Sequence, residues 1–202
     1  MTSRQPQHPS RRAAYTTVVV AFLALVGCLG LTTAASASSA SASTSAAPFC
    51  GIVWGSLPKE AGTGGATSLA GVRSGRHDCY DRLVLDLNGG PAAAYHVEYV
   101  DAVYEDGSGK LVPLRGGARL RIVVYAPSYD IVDGHPTYTP ANPCELTDVT
   151  GYQTFRQVAD AGSFEGQTTI GLGVRARLPF RVFTLAGPGS GSRLVIDVAH
   201  HW

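Results

Sequence analysis

Short stretches in which apolar and polar residues alternate recur after the first fifty residues, and Gly, Pro, Asn and Asp separate them. The clearest is Arg-Leu-Val-Leu-Asp-Leu at 82–87, whose three leucines share one face because side chains alternate across a strand. Asn88-Gly89-Gly90 ends this strand. A second hexamer, Arg-Leu-Val-Ile-Asp-Val at 193–198, matches the first position by position. In both hexamers Arg, Val and Asp occupy the other face, which is therefore mixed in character.

The same alternation predicts further strands with tight turns between them. Asp106-Gly107 and Asp133-Gly134 are typical of hairpin turns, since glycine supplies the positive φ that such turns need. Residues 149–162 are ambiguous, because Tyr, Phe and Val at every third position fit a short helical turn or an irregular strand. No long segment has the helical period. The sequence predicts an all-β fold, an antiparallel β-sandwich or barrel with little helix after the leader. The further strands are expected at Tyr95–Val103, Lys110–Leu114, Arg119–Tyr125, Gln167–Val174 and Phe180–Leu185.

Residues 1–37 have the pattern of a secretory signal peptide. Basic residues without acids precede an apolar run from Ala13 to Leu31, and Ala35-Ser36-Ala37 is a small-x-small cleavage site. Residues 38–49, rich in Ser and Ala, are expected to form a flexible linker. Residues 50–202 are the right length for a single domain.

Within the leader, the four residues that end at Cys28 resemble a lipobox, the motif whose cysteine becomes lipidated. Two localisations are therefore open. The mature chain is either secreted freely, or it is a lipoprotein at the outer face of the membrane, tethered through Cys28. Contact with the membrane is expected only in the second case.

The charge of the mature chain argues against nucleic acid as a partner. Cleavage removes the three leader arginines from the 16 basic residues, which leaves 13 against 15 acidic ones. A general nucleic-acid binder needs a net basic face to release counterions from phosphate. The sequence also has no P-loop and no dinucleotide fingerprint, and we predict no cofactor.

Cys50, Cys79 and Cys144 remain after the leader. In an oxidising compartment two of them are expected to pair. Spacing alone does not choose the pair. We favour a disulfide between Cys50 and Cys79, which would pin the start of the domain onto the segment that enters the first strong strand. No CxxC pair supports a three-cysteine metal site, and we predict no metal.

Candidate catalytic residues are few. His77 with Asp78 could act as a general base, which makes a small secreted hydrolase the alternative function. The structural interpretation is a polar loop that caps the following strand, and we favour it. His200 and His201 cannot chelate one metal from one side, because adjacent residues of a strand point to opposite faces. There is no Gly-x-Ser-x-Gly elbow.

A candidate binding set lies near the C-terminus. Arg175, Arg177 and Arg181 fall within seven residues around Leu178-Pro179. If a hairpin turns there, the three guanidinium groups would cluster and could bind carboxylates or phosphates of an anionic wall polymer. A solvated face with separate ion pairs is the alternative. We include His77 and Asp78 in the predicted binding set.

Two parts of the chain resemble a known family. Residues 72–84, which include Gly75-Arg76-His77-Asp78, are similar to the opening of the AMIN-like domain of secreted and lipid-anchored actinobacterial proteins. Residues 178–183 (Leu-Pro-Phe-Arg-Val-Phe) and 193–198 resemble its closing strands. The resemblance extends from about Cys50 to His201. It implies a β-sandwich and a non-catalytic binding or scaffolding module of the cell envelope. The partner it implies is peptidoglycan, another wall polymer or an envelope protein.

Overall fold

The structure is a computed structural model that describes residues 47–63, 68–90 and 93–202. The predicted signal peptide, most of the predicted linker and Cys28 lie outside the described residues. Within the described part of the chain, no helix is long and apolar enough to cross a membrane.

Two antiparallel sheets and a small hairpin make up the fold. The five-stranded sheet has the order β1-β4-β7-β9-β8, and the four-stranded sheet has the order β10-β11-β3-β2. Strands β5 and β6 form the separate hairpin. The bounds are β1 Lys59–Ala61, β2 Ser68–Arg76, β3 Tyr80–Asn88, β4 Tyr95–Val100, β5 Val103–Tyr104, β6 Leu111–Val112, β7 Ala118–Val124, β8 Phe155–Phe164, β9 Gln167–Val174, β10 Phe180–Ala186 and β11 Ser192–Ala199. One turn of 3-10 helix, Phe49–Gly51, precedes them.

The core lies between the two sheets, as the alternating pattern predicted. The apolar positions of both hexamers point inward, and Leu83, Leu85 and Ile196 are fully buried. The facing residues of the other sheet, among them Leu120 and Ile170, are equally buried. The prediction of an all-β antiparallel sandwich is confirmed.

Three strands were missed or left undecided by the sequence. Strand β2 contains Gly71 and Gly75 and few apolar residues, so its alternation of apolar and polar positions was weak. The ambiguous stretch at 149–162 is a loop that leads into β8 at Phe155, and two irregularities in the pairing of β8 with β9 disturb its alternation. Strand β1 has only three residues. The single strand predicted at 95–103 is two strands, β4 and β5.

A disulfide joins Cys50 to Cys79, so the favoured pairing is confirmed. Cys144 is exposed and forms no disulfide with another described residue. The disulfide holds the segment before β1 against the start of β3, which brings residues from outside the sheets onto the outer face of the four-stranded sheet.

Candidate functional site

A buried carboxylate lies between two arginines on that outer face. The strand register places Asp197 of β11 directly opposite Arg82 of β3 on one side and Arg181 of β10 on the other. Arg82 donates from Nε and Nη2 to the two oxygens of Asp197, at 2.6 and 2.9 Å. Arg181 donates from Nε at 2.8 Å. The hydrogen bond to Asp197 raises the pKa of Arg82. The row of three charges has one positive charge in excess.

Three aromatic rings pack around these guanidinium groups. Arg82 lies 5.1 Å from the ring centre of Tyr80 and 5.5 Å from that of Phe183. Arg181 lies 5.3 Å from the centre of Tyr80 and 5.0 Å from that of Phe183. Trp54 lies 5.5 Å from Arg181. These distances are within the range of cation–π attraction. We call the set formed by Trp54, Tyr80, Arg82, Arg181 and Phe183 the aromatic–arginine surface.

The disulfide and the backbone together place Trp54. Its indole nitrogen donates to the Phe49 carbonyl at 2.8 Å. The neighbouring Gly55 carbonyl accepts from the amide of Phe180, where β10 begins, also at 2.8 Å. The Trp54 ring then lies 6.0 Å from that of Tyr80. A segment outside the sheets thereby completes the aromatic–arginine surface.

Both guanidinium groups of this surface keep donors for a ligand. Their side chains are 23% and 31% exposed, whereas the carboxylate between them is fully buried. Among the described residues, no hydrogen bond or ion pair involves the Nη1 atom of Arg82 or of Arg181. The surface therefore combines free cationic donors with flat aromatic rings, a combination suited to carboxylates or phosphates and to sugar faces.

His77 lies beside this surface, and Asp78 lies in the turn between β2 and β3. The His77 ring stacks on Tyr80 with 4.6 Å between ring centres. A cavity of about 380 Å³ is lined by His77, Asp78, Asp81 and His200, among others. No hydrogen bond joins the His77 ring to a carboxylate among the described residues. The pairing of base and acid that the hydrolase hypothesis requires is thus not formed there.

The other carboxylate of that cavity has a structural role. Asp81 is fully buried, and its Oδ2 accepts the backbone N–H groups of Thr154 and Phe155 at 2.6 and 3.0 Å. Its Oδ1 lies 3.2 Å from Nε2 of the buried His200, whose Nδ1 lies 3.1 Å from the Asp78 carbonyl. Asp81 thus ties the start of β8 to the end of β11. No pattern in the sequence distinguished the role of Asp81 from that of Asp78.

Arg175 and Arg177 lie in the connection between β9 and β10. The hairpin at Leu178-Pro179 on which clustering of the three arginines would depend is not formed, because β9 and β10 belong to different sheets. Arg175 donates to the His200 carbonyl at 2.6 Å. Arg177 donates to the Ser56 carbonyl and lies 4.8 Å from the ring centre of Tyr99. The three predicted arginines therefore have three different sets of partners.

A loop after β7 brings together one group of potential metal ligands that the sequence did not single out. Asp130, Asp133 and His135 have ligand atoms within 4.8 Å of one another. Their oxygens already shape the loop, since Asp130 accepts the amide of Val132 and Asp133 accepts that of His135. The spacing Asp-x-x-Asp-x-His was the available signal.

Compared with known protein families, residues 67–200, about two thirds of the chain, match the AMIN-like domain. The chain belongs to the AMIN-like family. The matched part of this AMIN-like chain contains Tyr80, Arg82, Arg181, Phe183 and Asp197, whereas Cys50 and Trp54 precede it. Family membership indicates a cell-wall-related binding module, and the disulfide agrees with a place outside the cytoplasm. No curated protein and no solved structure matches the chain.

Proposed function

We propose that the chain is a non-catalytic module of the cell envelope that binds an anionic wall polymer, with peptidoglycan as the first candidate. The observation that carries the proposal is the aromatic–arginine surface. Asp197 fixes two guanidinium groups, and their Nη1 atoms have no partner within the described part of the chain. Carboxylates or phosphates of the polymer would accept from these donors, and sugar rings would stack on the aromatic rings.

The test is co-sedimentation of the purified protein with insoluble cell wall. Arg181→Gln removes one cation of the surface and should lower retention roughly three- to tenfold. Arg73→Gln is the matched control, because Arg73 lies on the same sheet but pairs with Asp86 outside the surface, at 2.7 Å. Equal retention of the two variants would contradict this placement of the binding site. Failure of the native protein to sediment would contradict the function itself.

Arg175 and Arg177 stay in the proposed binding set and need a separate variant. The double substitution Arg175→Gln/Arg177→Gln removes two cations without touching Asp197. If retention falls only in this variant, the polymer binds at the connection between β9 and β10 rather than on the sheet. If retention falls only in Arg181→Gln, the aromatic–arginine surface is sufficient for binding the polymer.

The catalytic alternative is a hydrolase that uses His77 and Asp78, and the cavity of about 380 Å³ that they help to line favours it. His77→Ala separates the two functions. A hydrolase would lose wall-degrading activity, whereas a binding module would release no wall fragments with or without this substitution.

Localisation follows from the native N-terminus. Mass spectrometry of the protein from its own cells distinguishes a diacylglyceryl-modified Cys28 from an unmodified chain that begins after Ala37. The first result makes the module a membrane-tethered lipoprotein, and the second makes it a secreted one. An envelope protein that co-purifies with either form would be a partner for a scaffolding role.

A further inference from the structure

A groove lies on the opposite side of the sandwich from the aromatic–arginine surface. It has a volume of about 610 Å³, and it separates the β5–β6 hairpin from the outer face of the five-stranded sheet. Tyr104 and Tyr125 line it and are 55% and 50% exposed. Two aromatic rings are thus available to a ligand in the groove.

The hairpin that forms one wall is held firmly on the sheet. Val103 and Val112 of the hairpin bury themselves with Ala159 and Ala161 of β8 in a small second core. The Asp106 amide donates to the Ala161 carbonyl at 2.8 Å. The groove is therefore built into the fold before any ligand arrives.

The basic side chains that line the groove already have carboxylate partners. Arg121 is ion-paired with Glu98 through Nη2, while its Nε has no hydrogen-bond partner among the described residues. His96 lies 3.2 Å from Glu60 and 3.4 Å from Glu98. Desolvation acts to raise the pKa of Glu98. The hydrogen bonds and charges of Arg121 and His96 nevertheless hold this pKa below its ordinary value. The cationic side of the groove is neutralised within the protein.

The negative groups of the groove have no such compensation. Glu105 accepts from the Ser108 hydroxyl at 2.7 Å, and Asp106 lies 3.5 Å from the Gln167 amide. Both partners are neutral, and neither carboxylate forms an ion pair with a described residue. Burial raises the pKa of the nearby Asp160, and the charges of Glu105 and Asp106 raise it further. The uncompensated charge is therefore negative.

The groove also contains a buried hydroxyl without a partner among the described residues. Thr169 lines the groove and is only 1% exposed, yet its Oγ1 has no hydrogen-bond partner among the described residues. Its side chain is on the groove side of the sheet, because Thr169 stands opposite Val123, which also lines the groove. A buried polar atom without a partner is costly, and a ligand that donates a hydrogen bond would relieve that cost.

From these observations we propose that the groove binds an alkylammonium group, held by Glu105 and Asp106 with its carbon chain against Tyr104 and Tyr125. An ammonium supplies three donors and one positive charge, which would compensate Glu105 and Asp106. Tyrosine faces attract cations and also pack against methylene groups. The site is separate from the one proposed above for the anionic polymer, so neither proposal depends on the other.

Titration with 1,5-diaminopentane, followed by amide chemical shifts, tests the proposal. We expect saturable shifts at Gly107, Gly109 and Gln167, which line the groove. The uncharged 1,5-pentanediol has the same chain length and should cause none. Nα-acetyl-lysine amide, which carries the same alkylammonium on a residue, shows by its relative affinity whether a free diamine or a lysine-type side chain is preferred.

Matched variants assign the binding to the two carboxylates. Glu105→Gln and Asp106→Asn should each weaken binding of the diamine roughly three- to tenfold, and the double variant should abolish it. Glu145→Gln removes a half-buried carboxylate that pairs with Arg115 outside the groove, and it should leave binding unchanged. Absence of saturable shifts, equal binding of the diol, or unchanged binding by the double variant would each overturn the proposal. Retention on cell wall is scored separately for the same variants.

Discussion

The substitution Asp197→Asn tests how far one buried charge stabilises both the fold and the proposed binding surface. Asp197 is fully buried and receives hydrogen bonds from two guanidinium groups. Removing one side of a buried ion pair costs about 3–5 kcal/mol. Arg82 and Arg181 are 23% and 31% exposed, so water partly replaces the lost partner. We therefore expect the lower end, about 3 kcal/mol of the free energy of unfolding.

The two hexamers supply a matched control. Asp86 occupies the same position in the first hexamer, and it pairs with Arg73, whose side chain is 56% exposed. Asp86→Asn should cost less than about 1 kcal/mol, as exposed pairs do. Urea denaturation measures the free energy of unfolding of both variants. In thermal denaturation, the melting temperature of Asp197→Asn should fall by roughly 6–12 °C. Equal losses in the two variants would show that burial of Asp197 contributes no special stability, which would refute the reasoning.

Three further predictions concern other parts of the fold. Cys79→Ser removes the disulfide, whose cysteines are 29 residues apart. On the chain-entropy model this should lower the free energy of unfolding by roughly 3–4 kcal/mol, as measured by urea denaturation under non-reducing conditions. Gly173→Ala places a methyl group 2.0 Å from the Arg115 carbonyl and should lower the melting temperature markedly, whereas at Gly71 the nearest atom would be 3.7 Å away and alanine should be tolerated. Burial raises the pKa of Asp160, so its ionisation destabilises the folded state as pH rises above about 4. Asp160→Asn should accordingly be more stable than the native protein at pH 7 and not at pH 3, and the same stability gain at both values would contradict this.

The sequence predicted the sandwich because its central strands alternate cleanly. The hexamers at 82–87 and 193–198 have three apolar residues on one face, and burial of that face excludes a slip by one residue. Strand β2 was missed because it lies at a sheet edge, where glycine and arginine are tolerated in place of apolar residues. Strand β8 was undecided because its pairing irregularities break the period on which strand prediction depends.

The candidate site was predicted only in part. Arg181 was singled out for its neighbours in sequence, but its partners on the surface come from distant segments. Spacing along the chain cannot show that Trp54 reaches Arg181, since a disulfide and a backbone hydrogen bond place it there. The pairing of Arg82 with Asp197 could in principle have been predicted from the sequence. Two matching hexamers paired antiparallel place each arginine opposite an aspartate.

That antiparallel arrangement also favours the native register of β3 against β11. If β3 and β11 slipped by two residues, the apolar faces would still point inward, so burial alone would not reject the error. In one direction, however, such a slip would set Asp197 against Val84 and Arg82 against Ala199, so Arg82 would lose its carboxylate and Asp197 would keep only Arg181 as a partner. In the native alignment Asp197 meets Arg82 as well as Arg181, so the buried carboxylate has both of its cationic partners. The charged residues of each hexamer thus select the strand register that burial of the apolar residues leaves open.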